Sequence, residues 1–359
     1  MGAEMGVSMI GFPHRLATVV ALAVGLGCTD SGREAPTGEA GVDAAPLDTV
    51  GDAAGAGRIL RLQPGFDALV PPGATIEKLA DGFVFVEGPV WDSRTSRLYF
   101  SDIPGNTIYT WSEADSVQPF VESWYDGSME ERRSWGPNGL TFDAQGRLIV
   151  SDHGRRQITR IEPDGSYTAV AAEFEGLRLN SPNDVVIGSD GTLYFTDPPF
   201  GLAEQDTSTL KELAFNGVYR LTPAGSLEVI SREQSRPNGI VLSPDESTLY
   251  VSNADAAHAA WIAYELSAAG VINSRVFFDA TGQPGMGLPD GLKVDREGNL
   301  FATGPGGVWV FGPDATHLGT ISVEEAPANL AWGDDGNSLY FTARRGLYRI
   351  RLTTGGQIP

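Results

Sequence analysis

Six oxygen-bearing residues recur at matching places in this chain: Glu87, Asn138, Asn183, Asn238, Asp290 and Asn329. Each opens a segment that closes 14 or 15 positions later, usually in a small or hydroxylic residue followed by Asp or Asn. Examples are NGLTFDAQGRLIVSD (138–152) and NDVVIGSDGTLYFTD (183–197). Carboxylates and carboxamides without thiolate or imidazole suit a hard divalent cation completed by water. Calcium fits that donor set best, with Zn2+, Mg2+ or Mn2+ as the alternatives. Asn and Asp also suit the turn that leads into a strand. Glu is a poor turn residue, yet it heads the first copy. A cation held by a few protein oxygens keeps open positions from which to polarise an ester carbonyl and acidify water.

The elements that must position these residues follow from the repeat itself. The six leading residues lie 51, 45, 55, 52 and 39 positions apart. Each copy is a short alternating segment, a Gly- or Asp-containing turn and a second apolar run, followed by a third strand (IYTW, ITRI, VYRL, IAYEL, VWVF, LYRI). Short strands at this period, without helical periodicity between them, predict an all-β fold, a six-bladed β-propeller with a metal site in its central channel. The first strand of each blade lines the channel, so the leading residues converge on one rim. The last copy ends near Leu352 without an outer strand, and TIEKLADGF (75–83) is expected to supply it and close the ring.

The phrases VEGPVW, LNSPNDVV, FTDPPFG, RPNGIVLSPDE and LPDGLKVD resemble those of the senescence-marker-protein, gluconolactonase and luciferin-regenerating-enzyme family, in its gluconolactonase branch. The resemblance runs from about residue 76 to 352. It implies a six-bladed propeller with one catalytic divalent metal, held by Glu87, Asn183, Asn238 and Asp290. Asn183 also contacts substrate in some relatives. Asn138 and Asn329 belong to the repeat, but the resemblance does not make them ligands; Asn138 is a candidate substrate contact.

Lactone hydrolysis is the reaction such a site suits. Asp290 is the candidate general base or nucleophile as well as a ligand, with a ligand-only role as the alternative. His153 follows the second-strand pair of blade two (SDHG) and is expected on the same rim, orienting the lactone oxygen or shuttling a proton. Asp102, Asp152, Asp197 and Asn253 end second strands and are expected to brace the ligands. Phe200, in DPPFG, is a candidate pocket wall. Sugar against aromatic lactone is left to the loops 125–135 and 203–216. A phosphotriesterase or aryl-lactonase, and a surface propeller that only binds, are the competing readings.

Composition narrows the partners. With 25 Lys and Arg against 46 Asp and Glu, the chain carries a net charge of −21, which repels nucleic acid. The single cysteine, Cys28, excludes an internal disulfide framework. It follows His14, Arg15 and the apolar run LATVVALAVGLG (16–27), as in a lipoprotein signal peptide over 1–27 with Cys28 lipidated. Residues 28–60 are expected to be a disordered tether, and 61–359 the catalytic propeller. The expected location is therefore the cell envelope after export, periplasm-facing or at the surface, with secretion as the alternative; membrane contact is expected only through the lipid anchor, and the partner is a small lactone.

Overall fold

The computed structural model describes residues 52–267 and 270–359. The expected signal peptide, Cys28 and most of the expected tether lie outside them. Six antiparallel sheets form the blades, five of them four-stranded and that of blade five six-stranded. Blade one comprises Val86–Asp92, Arg97–Asp102, Thr107–Ser112 and Ser116–Val121, and blade two Pro137–Phe142, Leu148–Asp152, Gln157–Ile161 and Tyr167–Ala171. Blade three is built from Val185–Ile187, Leu193–Asp197, Gly217–Leu221 and Leu227–Ser231. Blade four uses Pro237–Leu242, Thr248–Asn253, Ala260–Ser267 and Gly270–Asp279. The last two begin with Leu292–Val294 and Pro327–Gly333. First strands of successive blades pack side by side, and that of blade six packs on that of blade one, so the ring is closed.

Local chemistry explains the hairpins. Asp143 Oδ1 accepts the N–H groups of Gln145 and Arg147, turning the chain between the first two strands of blade two. Asp295 Oδ1 does the same for Glu297 and Asn299 in blade five. Such side-chain-to-backbone turns reverse the chain without help from tertiary contacts. Aromatic pairs then glue the blades. Trp91 of blade one stacks on Tyr340 of blade six at 5.4 Å. Tyr99 meets Phe142 edge-on between blades one and two, and Phe301 meets Trp332 between blades five and six.

Closure occurs as the sequence predicts: Ile76–Asp81 runs antiparallel to Gly346–Arg351 as the outer strand of blade six. The end of the expected tether is folded instead. Gly57–Arg61 pairs with His317–Val323 as an added outer strand of blade five, and Asp52–Ala54 pairs with it in turn. Burial is the reason: Ile59 and Phe66 pack with Ile76 and Ile321 in one core cluster. The folded part therefore begins before residue 61.

Candidate functional site

The polar pair that ends each second strand has a structural job. Its hydroxyl reaches the ring: Ser101 Oγ donates to the Asn138 carbonyl at 2.7 Å, and Thr196 Oγ1 to the Asn238 carbonyl at 2.6 Å. In blades one and three the hydroxyl thus fixes the leading residue of the next blade, whereas Ser151 Oγ has no hydrogen-bond partner and Ser252 Oγ reaches the Gly239 carbonyl of its own blade. The acid or amide beside the hydroxyl holds the segment that approaches its own leading residue. Asp102 accepts the N–H groups of Val84 and Phe85, Asp197 those of Asn180 and Ser181, and Asn253 that of Arg236. Asp152 differs, because it holds the turn at Arg155 and the hydroxyl of Thr159. Burial pushes the Asp197 carboxyl up to about 7 despite the two N–H groups it accepts.

The glycines after the leading residues answer to the same packing. A methyl carbon at Gly88 would collide with the Asn138 carbonyl, and one at Gly239 with the Asp290 carbonyl. Neighbouring first strands approach too closely there for any side chain. That is why the phrases read EG, NG and DG.

The leading residues are buried at this rim: Glu87 is 3% exposed and Asn138 2%, with Asn183, Asn238 and Asn329 buried and Asp290 half-buried. The Glu87 carboxyl accepts the Gly88 N–H and lies beside Asp290 and Asn329. Burial, with the nearby Asp184 charge, pushes Glu87 up to about 7. Burial and the Glu87 charge push Asp290 well above the usual carboxylate range. Two carboxyls this close, out of water, resist ionising together.

Two charged groups at the ring go beyond the sequence reading. Asp184, 3% exposed, accepts the N–H groups of Val185 and Ile240 and an N–H of Asn329. Lys293, on the first strand of blade five, is held below its usual range by burial, partly offset by the charges of Asp184 and Glu87. Both left a signal. Asp184 stands where copies one, two, four and five have Gly, and Lys293 where the other five copies have Val, Thr or Trp.

His153 is not an exposed rim residue. It is 2% exposed, with Ser134 Oγ 2.6 Å from Nδ1 and Asn138 Nδ2 3.1 Å from Nε2. Burial, with Arg132 alongside, drops its pKa to about 3. A ring neutral across the working range, with both nitrogens taken, is badly placed to shuttle protons. Phe200 is half-buried, and its neighbour Gly201 packs on Ser181 and His153. His258 is exposed and lies 3.9 Å from Asp255. The two loops expected to shape the pocket are stitched together, since Ala203 N donates to Glu131 O and Thr209 Oγ1 to the Glu131 carboxylate; Arg133 N donates to Gly201 O just before the second loop.

The ring fits a hard cation on its own atoms. Asn138 Oδ1, Asn238 Oδ1 and Asp290 Oδ1 are buried oxygens with no hydrogen-bond partner. Orphaned buried acceptors are costly and require a partner such as an ion or a ligand donor. Among the described residues no three His, Cys, Asp or Glu side chains cluster as a metal site, so any cation held here takes amide oxygens too.

Known proteins place this arrangement. A family model, the SMP-30/Gluconolactonase/LRE-like region, matches residues 85–345. A gluconolactonase of Zymomonas mobilis is 38% identical over 316 residues, covering 84% of this chain and 87% of that protein. A pentonolactonase of Haloferax volcanii is 27% identical over 270 residues, covering 72% of this chain and 81% of that one. The solved structure of a gluconolactonase from Xanthomonas campestris superposes with a TM-score of 0.73 at 33% identity, covering 84% of this chain and 98% of its own. With the matching propeller and the ring of oxygen donors at its rim, the chain belongs to the SMP-30/gluconolactonase/LRE-like family.

Proposed function

We propose that the protein is a metal-dependent hydrolase that opens sugar lactones. One observation carries the reading: two ring oxygens, Asn238 Oδ1 and Asp290 Oδ1, are buried without partners beside the Glu87–Asp290 carboxyl pair. Glu87, Asn183, Asn238 and Asp290 would hold the ion, and calcium suits their oxygens. A bound dication supplies Lewis acidity toward the lactone carbonyl and toward water. The residues do the rest. Glu87 supplies charge from blade one and Asn238 a neutral oxygen from blade four. Asp290 takes the proton of the attacking water at its carboxylate and returns it to the ring oxygen that leaves as the lactone opens. The lactonases among the relatives support this choice of substrate.

The test is base uptake in a pH-stat over a panel of sugar lactones, bare lactones, aryl esters and phosphotriesters, with and without chelator. Sugar-lactone opening that is lost on chelation and restored by one divalent ion is the expected result. Undiminished activity in metal-free protein, or activity confined to phosphotriesters, would refute it.

A further inference from the structure

Ser134, His153 and Asn138 form a chain of side chains that ends at the ring. The atom of Asn138 nearest His153 is Nδ2, 3.1 Å from Nε2. A carboxamide nitrogen has hydrogens to give and no lone pair to offer, so Nε2 is the acceptor. The imidazole proton therefore sits on Nδ1 and is donated to Ser134 Oγ at 2.6 Å. The backbone clamps the same histidine, because Arg132 donates from its guanidinium to the His153 carbonyl at 3.2 Å. Asn138 is thereby pinned at its nitrogen, and its Oδ1 is left buried and without a partner.

We propose that His153 is a positioning residue: it fixes the Asn138 carboxamide so that Oδ1, the acceptor, is offered to a hydroxyl group of the substrate. The proposal rests on the lactonase reading above and deepens it. A sugar lactone carries hydroxyl donors around its ring, and a buried acceptor kept in one orientation discriminates for them. If the amide turned over, it would present a donor to a site built of acceptors and meant for a cation. The histidine prevents that turn. Its own protons take no part in the reaction.

Steady-state kinetics on glucono-δ-lactone and on δ-valerolactone, the same ring without hydroxyls, test this. His153→Gln places an acceptor oxygen where Nε2 stands, and it is expected to keep kcat/KM within about threefold on both lactones. His153→Leu removes the acceptor. It is expected to lose roughly 10–100-fold on the hydroxylated lactone and little on the bare one, with metal affinity unchanged. Ser134→Ala leaves the imidazole but frees Nδ1, so a smaller loss with the same substrate bias is expected. It carries the test if His153→Leu does not fold. A His153→Gln enzyme as inactive as His153→Leu would show acid–base catalysis and overturn the proposal. So would equal losses on both lactones, or recovery with excess metal. Wild-type protein inactive on every lactone would instead remove the lactonase reading, and the proposal with it.

Discussion

Asn329 Nδ2 donates to Asp184 Oδ2 at 3.4 Å, joining blade six to blade three across the channel. Asp184 also accepts the N–H groups of Val185 and Ile240, so this one carboxylate ties three blades together. Asp184→Ala leaves all three donors unpaired in a buried place and should cost about 2–4 kcal/mol in denaturant unfolding. The nearby Lys293 would then be a buried charge without its counter-ion. A second change, Lys293→Met, is expected to recover part of that loss. Simple addition of the two costs would show that the groups are uncoupled.

Glu87 and Asp290 should separate by rescue. Glu87→Gln keeps the shape and an oxygen but loses a charge, so metal affinity is expected to fall and excess calcium to restore much of the turnover. Asp290→Asn also keeps an oxygen, but it removes the base. Calcium is expected to refill that site, seen by calorimetry, without restoring kcat. Equal rescue of both variants would leave Asp290 as a ligand only.

The metal-free protein should lose stability as pH rises. Glu87 titrates at about 7 in the folded chain against an ordinary value of 4.5. Below that ordinary value both states hold the proton and there is no difference. Between the two values the unfolded chain ionises first, so the folded state is penalised, fully so above about 7. Melting of chelated protein is expected to show Tm falling through this window. Saturating calcium, which favours the ionised carboxyls, should flatten the profile.

Location is tested by fractionation. If Cys28 is lipidated after export, the wild-type protein sediments with membranes and Cys28→Ser is released with its kinetics intact. A wild-type protein found soluble, with its N-terminus beyond Cys28, would contradict the anchor.

Much of this architecture is legible in the sequence because a propeller repeats its own constraints. Leading residue, turn and polar pair recur at fixed offsets, and the unsupplied outer strand of blade six points to residues 75–83. Burial between distant segments is not legible. Nothing local in SDHG says that the loop before Asn138 folds over His153 and pairs with residues 201–203, so the sequence places the histidine on the rim but not its burial there. Composition likewise hides Gly57–Arg61, since Ile59 counts for little until blade five offers it a cover. Asp184 and Lys293 escape for the opposite reason. They break the pattern at single positions, and attention to the repeat looks past its exceptions.

The seam between blades six and one has a consequence for synthesis. Ile76–Asp81 emerges from the ribosome well before its partner Gly346–Arg351, with five blades between them in the chain. Until then the early strand has no mate, and pairing across so long a stretch is slow to find. Glu87 and Asn329, neighbours in the ring, stand on either side of the junction between blades one and six. A nascent or truncated chain can therefore assemble blades one after another and still lack a finished ring. A finished ring waits on the pairing of Ile76–Asp81 with Gly346–Arg351.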